Sequence, residues 1–264
     1  MRASRLMLIP AVLALTGCMQ GTRLIKVNAD GSGTIIDTVK LSEQARGMMA
    51  SMQEMDKSTP AEKKAKKDAK LKAQVAAMGD CGAPGAAAPC VTLVSNTTDK
   101  DGTEKTVYSF KDISKIKLDT TPSSSDAGES SGKEEPLTFR LAKNGGNSLL
   151  TVLVPKDKPT EPAKPKTPPK PEEEQQAIAM MKSMLAGLKV ATQVEVNGKL
   201  VKTSSPWAAG PVVTIMEIDF DQIDPAGLKT LAASGSDKPS ADKLKGMKGL
   251  KVQEGEITIE FAGK

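Results

Sequence analysis

Not one histidine occurs in the 264 residues, and that absence alone removes much of the usual catalytic repertoire. Imidazole is the side chain that most readily exchanges a proton near neutral pH. Without it neither a Ser-His-Asp triad nor a Cys-His pair can be assembled, and a zinc site loses its commonest nitrogen ligand. Aromatic residues are almost as scarce, with one Trp, one Tyr and four Phe making 2% of the chain. A core must therefore come from Val, Ile, Leu, Met and Ala, and sugar recognition on exposed rings has little to work with beyond Trp207 and Tyr108. The apolar stretch that opens the chain, Leu6–Leu15, has about ten residues where a bilayer span needs ~20. Strong charge of one sign is missing too: 37 Lys and Arg stand against 32 Asp and Glu, a net charge of +5. The basic residues are spread along the chain rather than clustered, which argues against a nucleic-acid partner.

What is present begins at the N-terminus. Arg2 and Arg5, with no acid among them, precede the apolar stretch, and small residues close it. That order is a secretory signal peptide over residues 1–17. Leu15-Thr16-Gly17-Cys18 resembles the lipobox of bacterial lipoproteins. The resemblance implies cleavage before Cys18, a diacylglyceryl group on its thiol and an acyl chain on the new amine. Each buried methylene adds ~0.8 kcal/mol, so two or more chains hold a protein stably on a membrane. Met19 follows the cysteine where aspartate would not be expected for outer-membrane sorting. The resemblance thus places the protein in the bacterial cell envelope, lipid-anchored on the periplasmic face of the outer membrane. Removal of residues 1–17 takes away Arg2 and Arg5 and lowers the net charge to +3.

Three cysteines minus the lipidated one leave Cys81 and Cys90, flanking the flexible run Gly-Ala-Pro-Gly-Ala-Ala-Ala-Pro. In an oxidising compartment an even remainder reads as one disulfide.

Along the mature chain, hairpins alternate with amphipathic helices. Leu24–Asn28 and Thr34–Leu41 flank an Asp30-Gly31 turn, Val91–Ser95 and Thr103–Phe110 flank Asp101-Gly102, and Leu137–Ala142 and Ser148–Val154 flank Gly145-Gly146. Gly after Asp or Asn supplies the positive φ a tight turn needs. By the same rule Asn197-Gly198 predicts a fourth hairpin between Lys189–Val196 and Lys199–Thr203. Further strands are expected at Val212–Phe220 and Lys251–Phe261. Leu41, Ala45, Met48, Met52 and Met55 share a helical face, as do Ile178, Met181, Leu185 and Leu188. Thr59-Pro60-Ala61-Glu62 reads as a capping box opening a helix to about Met78, and Asp224-Pro225 caps a shorter one to about Ala233. Residues 120–135, rich in Ser, Gly and acids, read as a disordered loop, and 155–171, with seven prolines and five lysines, as an extended linker.

The expected fold class is α+β, with antiparallel hairpins forming a curved sheet and amphipathic helices packed on one face. Regions 18–154 and 172–264 are expected to share one core across the 155–171 linker. The segments Arg23–Leu41, Val107–Ile113, Val213–Asp221, Gly249–Val252 and Ile257–Phe261 resemble parts of uncharacterised bacterial envelope lipoproteins. That resemblance implies an envelope location and a β-rich fold, and no reaction.

Several side-chain groups are candidates for chemistry. Met48, Met49, Met52 and Met55 with Met180, Met181 and Met184 form a thioether-rich set suited to Cu(I), although methionine at helical spacing more often fills a core. Glu217, Asp219 and Asp221 should share one strand face, with Asp224 nearby, and could hold Ca²⁺; a charged outer face is the ordinary explanation. Ser114-Lys115 and Ser183 leave serine–lysine chemistry open, but neither has a second element beside it. The expectation is therefore a non-catalytic lipoprotein, not an enzyme, with no cofactor, acting as a structural or interaction module. Its partners would be the membrane through Cys18 and an envelope protein or anionic polymer. The alternative is a carrier of lipid or another apolar ligand in a cavity under Met-rich helices.

Overall fold

The computed structural model describes residues 19–43, 45–47, 50–51, 58–82, 88–120, 135–156, 171–234, 244 and 246–263. The signal segment with Cys18, Met48, Met49, Met52 and Met55, the serine-rich loop 121–134 and linker residues 157–170 lie outside the described residues.

The centre of the molecule is β1 (Met19–Val27), whose odd-numbered residues are buried from Gly21 onwards while the even ones are not. It pairs antiparallel with β2 (Gly33–Leu41) across the Asp30-Gly31 turn, where Gly31 takes φ +89°. β4 (Thr103–Phe110) continues from β2, and β3 (Val91–Thr98) forms the edge. On the other side β8 (Lys189–Val196) lies parallel to β1, followed by β11 (Val212–Asp219), the short β10 (Ala208–Ala209) and β12 (Leu250–Val252). These eight strands make one sheet. A second sheet of five has the order β5 (Lys117–Leu118), β6 (Leu137–Asn144), β7 (Asn147–Val154), β13 (Gly255–Gly263), β9 (Gly198–Thr203).

The two sheets pack face to face. Ile25, Val27, Ile35, Tyr108, Phe110, Val194, Val213 and Ile215 of the large sheet join Leu137, Phe139, Leu150, Val152, Ile257, Ile259 and Phe261 of the small one in a single core. Fold class is thus mixed α and β, but two sheets replace the one curved sheet expected, and the second sheet packs on the large one. The reason lies in the chain's alternation: each hairpin has one apolar face, and two such sheets can bury those faces against each other. Strands from before and after the linker contribute to both sheets.

Three of the four expected hairpins form. The fourth does not: β8 and β9 belong to different sheets, and Asn197-Gly198 is the corner between them. Asn197 N–H donates to the Val27 carbonyl at 2.8 Å, and its side chain donates to Asn28 Oδ1 at 2.8 Å. Gly198 is required for a different reason from a turn. A Cβ there would sit 1.9 Å from the Ala262 carbonyl oxygen, so only hydrogen fits where β9 meets β13. Lys251–Phe261 likewise divides, into β12 in the large sheet and β13 in the small one.

Among the described residues, 43, 45–47 and 50–51 are helical, as the sequence predicts after β2, and three longer helices complete the fold. α1 (Pro60–Ala77) opens on the capping box: Thr59 Oγ1 accepts from Glu62 N–H, and Glu62 Oε2 accepts from Thr59 N–H at 2.6 Å. Leu71 is buried, and Val75 and Met78 pack on the main core. α2 (Pro171–Leu185) and α3 (Pro225–Ser234) build a second, smaller core. In it Ile178, Met181, Leu185, Leu188 and Leu231 surround Phe220, Ile223, Leu228 and Leu250. Asp224 caps α3 by accepting from Gly227 N–H at 2.7 Å.

Candidate functional site

Strand β1 has two ends with different surroundings, and the molecule's chemistry is arranged along it. At the first end, Met19 pairs with Leu41, and Gln20 lies between Lys40 and Lys189. Two salt bridges border this end, Lys40–Asp101 and Lys189–Asp219, each at 3.0 Å. The β3–β4 turn reaches it because Thr103 pairs with Lys40, and the segment that follows α2 reaches it because Lys189 pairs with Asp219 at the end of β11. Cys18, which would carry the lipid, is the residue immediately before Met19.

Midway along β1, Arg23 is 1% exposed. Its Nε donates to Asp37 Oδ1 at 2.8 Å and its Nη2 to Asp37 Oδ2 at 2.7 Å, a bidentate fork across β1 and β2. Nη1 donates to the Asp119 carbonyl at 2.7 Å, and Thr192 Oγ1 on β8 donates to the Thr120 carbonyl at 2.7 Å. The stretch after β5 is therefore strapped over the sheet by two buried donors. Burial works against the guanidinium charge, but Asp37 outweighs it and holds Arg23 above its ordinary pKa. Tyr108, buried beside them, is pushed up to about 12, first by burial and then by the Asp37 charge. The sequence signal for this cluster was available: Arg23 falls on the inward row with Ile25 and Val27, and Asp37 on that of Ile35 and Val39. Reading the Asp30-Gly31 turn as the hairpin centre makes the two direct cross-strand partners.

The far end of β1 opens into a groove of about 500 Å³ lined by Lys26, Asn28, Ser32, Thr34, Glu195 and Asn197, among others. Lys26 and Glu195 pair across it at 3.0 Å. Asn28 Nδ2 donates to Ser32 Oγ at 2.9 Å. A second groove of about 400 Å³ lies beside the disulfide, lined by Asp80, Cys81, Ser114, Lys115, Lys117 and Thr138.

Cys81 and Cys90 are joined as a disulfide, with Cα atoms 5.0 Å apart. Asp80 organises the loop, its Oδ1 accepting from Gly82 N–H at 3.0 Å and Ala88 N–H at 2.9 Å; these bonds hold its carboxyl below the usual range.

The acidic residues near β11 do not converge. Glu217 pairs with Lys251 at 2.9 Å, Asp219 with Lys189, Asp221 accepts from Gly187 N–H at 2.9 Å, and Asp224 caps α3. Asp221 lies beyond the strand, in the 3₁₀ turn Phe220–Gln222, which corrects the expectation that it shares a strand face with Glu217 and Asp219. Burial alone would raise the Asp219 carboxyl, but hydrogen bonds from Lys189 and Gln222 leave it lowered. Among the described residues no three Cys, Asp or Glu side chains form a metal-holding group. Of the methionines, Met181 sits in the second core and Met180 is exposed. Ser114 lies in the 3₁₀ turn Ile113–Lys115, and its Oγ accepts from Leu141 N–H at 3.3 Å; Ser183 is exposed on α2.

No helix among the described residues is long and apolar enough to cross a membrane. No family model matches the chain, and neither curated proteins nor solved structures give a match.

Proposed function

We propose that the protein is a non-catalytic lipoprotein of the bacterial envelope, anchored through Cys18 and acting as a structural or interaction module. The observation that carries this reading is the Leu15-Thr16-Gly17-Cys18 motif set directly against the first residue of β1. Supporting it, the charged side chains that might have carried chemistry are taken up by the fold: Asp37 by Arg23, Asp219 by Lys189, Asp224 by a helix N-terminus. In the same reading α2 and α3 cover one face of the large sheet beside the small sheet. Ile218 pairs with buried Val190 and packs with the α2–α3 cluster, which supports that arrangement. The periplasmic face of the outer membrane is the expected site, and an envelope protein or anionic polymer the expected partner.

Fractionation of cells expressing wild-type protein and Cys18→Ser tests the anchor. Wild type should sediment with membranes and Cys18→Ser should appear in the soluble extract; equal sedimentation of both would reject it. Crosslinking in intact cells should then give a reproducible adduct with protein or polymer. Only free protein would reject the interaction role, and lipid retained in native mass spectrometry would favour the apolar-ligand carrier instead.

A further inference from the structure

The spacing between the lipid site and the folded body is zero, and this has a geometric consequence. Consecutive Cα atoms are about 3.8 Å apart, so the thioether leaves the chain within one residue of a paired strand. Met19 is already in register with Leu41, and Gln20 with Lys40 on one side and Lys189 on the other. A lipoprotein with a long polar spacer can roam above its membrane over the reach of that spacer. Here β1 has none, and it is an interior strand of the eight-stranded sheet with three strands beyond it on one side. The end of the sheet must follow the lipid down.

We infer that this end of the molecule is a bilayer-docking surface, made by the Met19–Gln20 start of β1, the β3–β4 turn at Lys100 and Asp101, Lys40 and Lys189. The inference rests on lipidation of Cys18 as proposed above, and it adds which surface meets the headgroups and which faces the aqueous space. The occupant is the phospholipid bilayer that holds the anchor; what selects it is the missing spacer, not a charge excess, since Lys40 and Lys189 are each matched by an acid. Paired charges of both signs suit a zwitterionic headgroup layer. β1 has nine residues, and at about 3.3 Å each its far end stands roughly 26 Å away. The polar groove at Asn28, Glu195 and Asn197 therefore opens to the aqueous side, where a periplasmic partner can reach it.

Trp207 is the only tryptophan, so a Trp207→Phe background is dark and can carry one reporter at a time. Its main chain, not its ring, makes the hydrogen bonds to Thr214 and Ser205, and these survive the change. Lys100→Trp places a reporter in the β3–β4 turn and Lys199→Trp at the far end, beside Ala262. Full-length lipid-modified protein would be reconstituted into phosphatidylcholine vesicles bearing a nitroxide on the headgroup. Emission from the Lys100→Trp protein should be quenched, and that from Lys199→Trp should match nitroxide-free vesicles. If Lys100→Trp fails to fold, Lys40→Trp serves as the near reporter. Protein that floats with the vesicles while both reporters are quenched alike, or neither is, overturns the docking surface and leaves the anchor standing. Protein that does not float, with an unmodified thiol by mass, overturns both.

Discussion

At the residue scale, the feature that most constrains the molecule is the Arg23–Asp37 fork. Each partner is nearly inaccessible, so each depends on the other for its charge to be tolerable. Removing one member of such a pair strands the other and costs about 3–5 kcal/mol, whereas replacing both by apolar residues of similar volume is close to neutral. Asp37→Ala should therefore lower unfolding free energy by that amount in urea, and Arg23→Met with Asp37→Leu should recover most of the loss. Additive losses in the double variant would contradict the coupling. Tyr108 reports on the same cluster, because it is the only tyrosine. Its folded pKa of about 12 lies above the ordinary 10.0, so the fold favours the neutral phenol. The linkage follows: its contribution is complete below pH 10 and is lost as pH rises towards 12. Ultraviolet titration should show phenolate forming near pH 12 in the folded protein and near 10 in denaturant; an unshifted native midpoint would mean the ring is not buried against Asp37.

At the element scale, the readable parts were those whose cause is local. Asp30-Gly31 makes a hairpin because Gly31 can take positive φ, and Thr59 with Glu62 starts a helix because the two close on each other's backbone. Asn197-Gly198 carries the same local signature but forms the corner between two sheets. Its glycine answers a distant demand, the Ala262 carbonyl of β13, and alternation along a strand does not say which of two sheets the strand joins. The division of Lys251–Phe261 between sheets has the same cause, since nothing local marks the change of sheet. Arg23 and Asp37 were within reach of hairpin symmetry, while the Asp119 and Thr120 carbonyls that complete the cluster lie about a hundred residues away in sequence from Arg23 and no local rule connects them. Gly198→Val should therefore destabilise the corner far more than an ordinary turn substitution, by about 2–4 kcal/mol in thermal or urea unfolding, the range of severe overpacking. A loss below about half a kcal/mol, the surface norm, would contradict the close approach of β9 and β13. The disulfide closes a loop with a separation of nine residues, worth about 2–3 kcal/mol on the chain-entropy account. Cys81→Ser with Cys90→Ser should lower stability by that amount without altering the far-ultraviolet spectrum, since Asp80 still gathers Gly82 and Ala88.

At the scale of the whole molecule, one axis organises the parts. Strand β1 runs from the residue beside Cys18, the proposed lipid site, past the buried ion pair, to a polar groove at its far end. The two sheets share their core along much of that axis, and the α2–α3 core joins the large sheet near its first end, where Lys189 and Asp219 meet. A body anchored at Cys18 as proposed would be held at one end and present polar side chains at the other, an arrangement suited to holding a partner at a set height above a membrane. All of this depends on the chemistry of one sulfur. Intact and N-terminal-peptide mass spectrometry of the protein extracted from its native membranes reads that chemistry most directly. The account predicts a mature chain beginning at Cys18 and carrying a diacylglyceryl thioether with an acylated amine. A chain retaining residues 1–17, or one with a free Cys18 thiol, would contradict it.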